Sequence, residues 1–262
     1  MKTVSLASGS RGNAYLVEAG GRLLLIDCGI CHKSLVERMR AAGKDPADII
    51  GVIITHDHSD HTCGLEMFRK KHPEVPLFAN WMTAETITGM YRKLSPDDFA
   101  IFENGQEFEV GPFTVHPFSI PHDVPDPVGF LVRADGKTYF HATDVGCVLE
   151  STGLMLKAAD VATLESNHDL MMLKNSGRAY PLIQRISGNR GHLSNYQASE
   201  LVERFAGEKL KKLFLAHLSR DCNAPHLALG EMKETLKRMG REDIQVEVLG
   251  QDRIGEEYDA GL

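Results

Sequence analysis

The sequence predicts an α/β protein, of the α+β kind, in which two mixed β-sheets pack face to face with helices outside. Alternating apolar runs joined at Gly20-Gly21 and at Asp135-Gly136 predict one hairpin early in the chain and another near its middle. After each hairpin, strand patterns alternate with helical patterns, which is typical of parallel strands joined by crossover helices. A hairpin followed by parallel strands, occurring twice, indicates two similar halves.

The spacing of apolar residues locates the individual elements. Short apolar runs that end in turn residues predict strands at 23–27, 51–55, 111–118, 137–142, 161–165 and 211–217. Helical periodicity predicts helices at 32–42, 63–71, 194–206 and 226–239. No linker or repeat interrupts this pattern, so we expect a single domain over 1–262 in which only 250–262 is a loosely held tail.

The composition is that of an ordinary globular protein, with 42% hydrophobic and 25% charged residues. No run approaches the roughly 20 apolar residues of a membrane span, and the N-terminus has no apolar segment typical of a secretory signal. The number of cysteines, five, is odd, which favours a reducing compartment over a disulfide framework. We therefore expect a cytoplasmic protein without a membrane partner; the sequence predicts no oligomeric state.

The charge distribution is more informative than the net charge of −7. Residues 174–220 contain nine Lys and Arg but only three Asp and Glu, whereas the rest of the chain is acidic. A basic segment of this kind indicates either a solvated face or a surface that follows a polynucleotide backbone.

The segment 55–61, Thr-His-Asp-His-Ser-Asp-His, contains three histidines and two aspartates directly after an apolar strand. Imidazole and carboxylate are the ligands that Zn, Mn and Fe use in proteins. As alternate residues at a strand end, His56 and His58 point to the same side. The turn into the next helix then directs Asp60 and His61 toward a second ion.

Seven residues cannot complete two coordination shells, so further ligands must come from elsewhere. His122, Asp144 and His217 each follow an apolar strand. Ligand sites gather at the carboxyl ends of strands in such sheets, which makes these three residues the candidates.

These motifs resemble the metallo-β-lactamase superfamily, and within it the WalJ/YycJ (VicX) group, related to ribonuclease Z and to the phosphonate-pathway phosphodiesterase. The resemblance is carried, between about residues 6 and 223, by SGSRGNAYLVE, LLLIDCGI, ITHDHSDHTCGL, PHDVPDPVGF, TLESNHD and GHLSNYQA. It implies a four-layer αββα fold and two divalent transition-metal ions, Zn or Mn, with Fe as a further option.

The resemblance also implies a ligand assignment. One metal would take His56, His58 and His122, the other would take Asp60, His61 and His217, and Asp144 would bridge them. Asp27 matches an aspartate that steadies the metal loop. His116 and His141 match no ligand position and are expected in or near the core.

The predicted chemistry is hydrolysis of a phosphodiester by a metal-activated water. Asp60 is expected to orient or deprotonate this water. His192, at the start of a helix, is the candidate proton donor to the leaving group. The resemblance to ribonuclease Z implies that Glu165 is the partner that sets its tautomer. The candidate substrate contacts are Ser10 and Asn13 in a Gly-rich loop, Asn167 and His168 in the TLESNHD motif, Arg190, and Ser194.

The leading hypothesis is therefore a dinuclear metal-dependent phosphodiesterase, a nuclease acting on DNA or RNA. The interval of 73 residues from Asp144 to His217 is too short for the domain that β-CASP nucleases insert there. Two alternatives remain open. One is a phosphodiesterase for cyclic or modified nucleotides, and the other is a regulatory protein of cell-wall signalling with little turnover.

Overall fold

Two seven-stranded sheets form the centre of the computed structural model, which describes residues 1–261. The first sheet contains β1 (Lys2–Ala7), β2 (Ala14–Ala19), β3 (Arg22–Ile26), β4 (Ile49–Ile53), β5 (Leu77–Ala79), β6 (Phe99–Ile101) and β14 (Tyr258–Asp259). Its strand order is β14-β1-β2-β3-β4-β5-β6. The pairs are antiparallel from β14 to β3 and parallel from β3 to β6.

The second sheet repeats this pattern. It contains β7 (Phe108–Val110), β8 (Phe113–Ser119), β9 (Val128–Ala134), β10 (Lys137–Ala142), β11 (Val161–Glu165), β12 (Lys212–Ala216) and β13 (Gln245–Val248). Their order is β13-β12-β11-β10-β9-β8-β7, antiparallel from β7 to β10 and parallel from β10 to β13. The predicted pair of similar halves, each with a mixed sheet, is confirmed.

Helices lie outside the two sheets, and most of them pack on the outer faces. They are α1 (His32–Ala41), α2 (Ser59–Thr62), α3 (Leu65–Lys71), α4 (Trp81–Met90), α5 (Glu150–Lys157), α6 (Leu170–Lys174), α7 (Tyr180–Ser187), α8 (Asn195–Phe205) and α9 (Pro225–Arg238). One buried cluster joins the inner faces of the two sheets, for example Ile53 with Phe130 and Phe214. Two further clusters lie between each sheet and its helices, around Phe68 and around Leu201. These three apolar layers produce the expected four-layer αββα arrangement.

The two predicted hairpin turns have the backbone conformation that tight turns require. Gly20 and Gly21 have φ of 56° and 72°, and Asp135 and Gly136 have φ of 52° and 70°. Two consecutive residues with positive φ define the turn whose twist matches that of the strands it joins.

The C-terminal segment differs from the expected loose tail, because its residues pair with the N-terminal strand. Tyr258 lies opposite Thr3, and Asp259 lies opposite Lys2. The backbone N–H of Ala260 donates to the carbonyl of Met1 at 3.0 Å. Without this pairing, β1 would be an open sheet edge with unpaired N–H and C=O groups. The short strand β14 pairs with these groups, which the sequence pattern did not predict. Among the described residues, no helix is long and apolar enough to cross a membrane.

Candidate metal centre

The carboxyl ends of strands from both sheets meet at one rim, where the predicted ligands converge. Nε2 of His56 lies 3.2 Å from Nδ1 of His58, which lies 3.3 Å from Nε2 of His122. Ligand atoms of these three residues all lie within 4.8 Å of one another. Three imidazole nitrogens this close suit one transition-metal ion.

A second group lies beside the first. Oδ2 of Asp60 is 3.4 Å from Nε2 of His217 and 3.7 Å from Nε2 of His61. Both Asp60 and His61 belong to α2, a separate single-turn helix that the sequence did not predict; the helix predicted at 63–71 corresponds to α3, which begins at Leu65. The helix places these adjacent side chains on the opposite side of the rim from His58.

Asp144 lies between the two groups. Its Oδ2 is 3.0 Å from Nε2 of His61, and its Oδ1 is 3.7 Å from Nε2 of His122. The side chain is buried, and Oδ2 has no hydrogen-bond partner within the described chain. Although burial raises the pKa of Asp144, the neighbouring His217 and His61 outweigh it and hold the pKa well below its usual value. A buried ionised oxygen without a partner is costly, and a cation at this point satisfies it. The donor set therefore fits divalent metal ions.

Asp27 and Thr55 orient His61. Oδ2 of Asp27 accepts a hydrogen bond from Nδ1 of His61 at 2.7 Å, while its Oδ1 accepts from the backbone N–H of Thr55 at 2.9 Å. With its proton on Nδ1, His61 presents the lone pair of Nε2 to the centre. This is the supporting position expected of Asp27. On the other side, Nδ1 of His122 donates to the carbonyl of Gly191 at 3.0 Å.

Three residues of the centre have left-handed backbone. Asp27, Asp144 and His217 have φ of 60°, 60° and 55°, and each follows the end of a strand. This conformation is energetically unfavourable for residues other than glycine, and such strain concentrates at functional sites. Here the left-handed residue reverses the chain at the sheet rim, so that the side chain turns toward the ligand groups.

Glu165 holds two histidines at once. Its Oε1 lies 2.8 Å from Nδ1 of His192 and 2.9 Å from Nδ1 of His217. Its Oε2 accepts hydrogen bonds from the backbone N–H of Val145 and of Leu193 at 2.8 and 3.0 Å. Burial alone raises the pKa of Glu165, but His192 and the hydrogen bonds it receives lower the pKa to about 2. The predicted contact with His192 is present, and the contact with His217 is one that the sequence did not suggest.

His192 faces a cleft of about 380 Å³ beside the ligand groups. With Nδ1 donating to Glu165, its Nε2 is the atom left to act on a substrate. Burial lowers the pKa of His192, but the carboxylate of Glu165 outweighs it and the net pKa is raised. Four arginines also line the cleft: Arg11, Arg178, Arg185 and Arg220.

Two of the predicted substrate contacts, Ser10 and Asn167, line this cleft. Ser10 is exposed. Asn167 is buried and uses its Nδ2 to donate to the carbonyl of His217 at 2.8 Å. It therefore supports a ligand-bearing loop at the floor of the cleft.

Asn13 is not placed to contact substrate. Its side chain is fully buried, and its Oδ1 accepts hydrogen bonds from the N–H of Gly9 and from the hydroxyl of Tyr15. Its Nδ2 lies 3.0 Å from Nε2 of His61. The prediction is corrected because the Gly-rich loop closes on itself. A Cβ at Gly12, where φ is 147°, would lie 2.2 Å from the carbonyl oxygen of Gly29, so this loop packs against the chain after β3.

The predicted substrate contacts of His168 and Ser194 are also corrected. His168 is fully buried, and neither ring nitrogen has a hydrogen-bond partner within residues 1–261. The hydroxyl of Ser194 is buried and caps α8, accepting from the N–H of Gln197 at 3.2 Å. A side chain that closes a helix terminus is the role expected of an N-cap serine and leaves no oxygen for a ligand.

Arg190 supports the His122 loop. Its guanidinium donates to the carbonyls of His122 and Val124 at 3.0 and 3.4 Å. It is absent from the residues that line the cleft. The structure therefore gives Arg190 a role other than the expected polynucleotide contact, because it holds the loop that carries the candidate ligand His122.

The remaining histidines near the centre occupy the positions expected of them. His141 is buried, with its ring edge-on to Tyr15 at 4.6 Å between centroids. His116 is half-buried and lies 3.8 Å from the carboxylate of Glu107. Neither belongs to a ligand group of the described chain.

The cysteines beside the centre are free thiols. Cys28 and Cys31 follow β3 in a Cys-x-x-Cys spacing, a feature that the odd cysteine count alone does not show. Cys28 is buried, and Sγ of Cys63 lies 3.1 Å from the carbonyl oxygen of Gly29. Within the described residues, no cysteine belongs to a metal-ligand group, so the candidate ions are held by nitrogen and oxygen alone.

Comparison with known proteins agrees with this geometry. Residues 22–218 match the family described as the Beta-lactamase superfamily domain. The chain is 33% identical over 226 residues to exodeoxyribonuclease WalJ of Streptococcus pneumoniae serotype 2 (strain D39 / NCTC 7466), covering 85% of this chain and 83% of that protein. It is 30% identical over 235 residues to exodeoxyribonuclease YycJ of Bacillus anthracis, covering 90% and 89%. Among solved structures, the metallo-beta-lactamase fold protein YhfI from Bacillus subtilis superposes with a TM-score of 0.73 at 18% identity, covering 98% of this chain and 100% of that chain.

Proposed function

The chain belongs to the β-lactamase superfamily and to its WalJ/YycJ group, and from this premise we propose that it is a metal-dependent exodeoxyribonuclease. The observation that carries the proposal is the position of the His192–Glu165 pair, which joins the ligand groups to an arginine-lined cleft. The similarity of most of the chain to two exodeoxyribonucleases supports DNA as the substrate.

Two ions are proposed for the centre, either Zn or Mn, with Fe as the third choice for a His and Asp donor set. One would be held by His56, His58 and His122, and the other by Asp60, His61 and His217, with Asp144 between them. When bound, such ions lower the pKa of a water molecule and stabilise the charge that develops on a phosphoryl oxygen.

The residues of the chain supply the remaining chemistry. Asp60 is 21% exposed and accepts a hydrogen bond from the attacking water, which it orients toward phosphorus. His192 donates the proton of its Nε2 to the leaving oxygen, because the carboxylate of Glu165 raises the pKa of His192 and favours the imidazolium, in which both ring nitrogens carry protons. The guanidinium groups of the cleft bind phosphates of the strand next to the scissile bond.

A second candidate is a phosphodiesterase for small nucleotides. The cleft volume of about 380 Å³ favours it, because this volume is near the lower end of the range for small-molecule sites, roughly 300–1,000 Å³. The same volume also fits one nucleotide at the end of a strand.

The experiment is a cleavage panel on protein reloaded with Mn or Zn. The substrates are single-stranded DNA, duplex DNA and RNA, each labelled at either end, together with bis(p-nitrophenyl) phosphate. We expect DNA to be shortened from one end with release of mononucleotides. Turnover of bis(p-nitrophenyl) phosphate without strand shortening would support the small-nucleotide enzyme, and no turnover by metal-replete protein would contradict any hydrolase.

Metal content is measured in parallel by elemental analysis, with two ions per chain expected. His58→Ala should reduce occupancy of one site, whereas Asp144→Ala should reduce both because its carboxylate lies between the groups. A single ion at saturation would refute the dinuclear assignment.

A further inference from the structure

Three of the four cleft arginines are paired with aspartates. Arg178 lies 3.0 Å from Asp221, and Nε of Arg185 lies 2.5 Å from Asp123. Arg220 is hydrogen-bonded to Asp252. Arg11, the fourth, has no ion-pair partner in the part of the chain that is described. The cleft that should attract a polyanion is therefore largely neutralised.

These pairs contribute little to the fold. One partner of each pair is largely exposed: Asp221 and Asp252 are 76% and 75% exposed, and Arg185 is 62% exposed. The other partners are less exposed, at 28% for Arg178, 43% for Arg220 and 26% for Asp123. Exposed ion pairs typically add almost nothing to stability, because water solvates both partners equally well. Three pairs that each keep one partner in solvent, around one cleft beside the proposed phosphodiester site, therefore call for another explanation.

A carboxylate and a phosphate offer a guanidinium similar oxygen atoms. Both bind its N–H groups as charge-assisted acceptors, and both do so best in the plane of the fork. His192 and the four arginines line the same cleft, so a strand whose scissile phosphate lies at His192 would pass these arginines. An aspartate on such an arginine occupies the position that a strand phosphate would take.

Building on the proposed function, we propose that Asp123, Asp221 and Asp252 are placeholders that the phosphates of a single DNA strand displace on binding. A free phosphate ion can displace only one aspartate and loses its own translational freedom for that single exchange. A strand displaces several while losing this freedom once, since the second exchange is intramolecular. The aspartates thus select a continuous strand over the free nucleotides and phosphate of the cell.

The test measures binding of a fluorescent 12-nucleotide single strand with phosphorothioate linkages to the metal-loaded enzyme. Removing one placeholder, by Asp221→Asn or Asp252→Asn, should tighten binding roughly fivefold, the Boltzmann factor for two unit charges about 4 Å apart in water. The gain should shrink as salt rises. The variants should also show a steeper salt dependence, because in the wild type the released aspartate takes up a cation and offsets part of the counterion release.

Two controls isolate the effect. Asp243→Asn also removes an exposed carboxylate bound to cations, Lys211 at 2.7 Å and Arg241 at 2.9 Å. Asp243 lies beside the start of β12, whereas His217 follows the end of β12. Because this carboxylate is far from the cleft, the affinity for DNA should not change. In an Arg178→Gln background, Asp221→Asn should no longer tighten binding, because the guanidinium it exposes is gone.

Equal or weaker binding by Asp221→Asn would overturn the inference, as would a gain that persists in the Arg178→Gln background. Cleavage of an ordinary strand by the wild type is scored separately. Wild-type cleavage without tighter binding by the variants refutes the placeholders alone, whereas absence of wild-type cleavage refutes the nuclease.

Discussion

Replacing Glu165 by glutamine turns one carboxylate oxygen into an NH₂ group. The structure predicts that this change costs more hydrogen bonding and metal affinity than the same change at an ordinary hydrogen-bonding side chain. Each carboxylate oxygen of Glu165 accepts two hydrogen bonds. Oε1 accepts from His192 and His217, and Oε2 accepts from the backbone N–H groups of Val145 and Leu193. An amide presents only one acceptor oxygen. One pair of donors must therefore face an NH₂ group, whichever way the amide is turned.

Each orientation has a distinct cost. With the NH₂ toward Val145 and Leu193, two buried donors lose their partners, at about 1–3 kcal/mol each. With the NH₂ toward the histidines, both rings must accept at Nδ1 and carry their protons on Nε2. For His217 this removes the lone pair that would bind the second metal. We expect Glu165→Gln to weaken the second ion by about 10- to 100-fold, the usual effect of losing a group that orients a ligand, and to leave the first nearly unchanged.

The assay is a titration of the reloaded protein with a metal-competing chelator, followed by elemental analysis at each step. Thermal unfolding of the metal-free protein reports the cost to the fold separately. Glu200→Gln is the matched control, because the side chain of this α8 glutamate is 37% exposed and, within the described residues, its ion pair is with Arg204, four residues along the helix. If Glu165→Gln holds both ions as tightly as the wild type, Glu165 does not set the tautomer of His217, and the argument fails.

Three further outcomes follow from the same geometry. His192→Ala should keep both ions but lose roughly 10²–10⁴-fold in strand cleavage, with a smaller loss on bis(p-nitrophenyl) phosphate, whose leaving group needs no proton; equal rates on DNA would exclude the proton transfer. Arg190→Ala should lower the first ion's affinity and slow both substrates alike, because it frees the His122 loop; a loss confined to DNA would restore it as a strand contact. Burial lowers the pKa of His168 to about 4. Between pH 6.5 and pH 4 only the unfolded chain binds this proton, so the free energy of unfolding should fall by up to about 3 kcal/mol as the pH decreases toward 4. Urea unfolding at pH 7 and pH 5 should show a weaker pH dependence for His168→Asn, and an unchanged dependence would count against this assignment.

The sequence predicted the convergence of the candidate metal ligands better than the positions of the candidate substrate contacts, and the reason is physical. His56, His58, Asp60 and His61 lie within six residues, so local geometry alone brings them together. The other ligands follow strands whose carboxyl ends must share one rim once two mixed sheets form. The neighbouring serine, asparagine and arginine side chains have no such constraint. Whether they meet a substrate depends on loops distant in sequence.

Arg190 illustrates this limit. A basic residue two positions from His192 satisfies every sequence criterion for a phosphate contact. Its guanidinium nevertheless binds carbonyls of a loop 66 to 68 residues away, which no local pattern reveals. The tail was misjudged for a similar reason, because the partner of β14 is β1, at the other end of the chain.

The location of the centre between the two halves has a thermodynamic consequence. Each proposed ion takes ligands from both halves, His122 joining His56 and His58 at one, and His217 joining the α2 pair at the other. Ser8 adds a direct link, because its hydroxyl accepts the backbone N–H of His217 at 2.8 Å and a hydrogen bond from Tyr15 at 2.9 Å. Packing of the two sheets therefore sets the ligand separations. By linkage, ions that bind only the folded arrangement stabilise that packing in turn. The proposed ions would therefore stabilise the packing of the two sheets and offset the cost of the charged side chains buried at this rim.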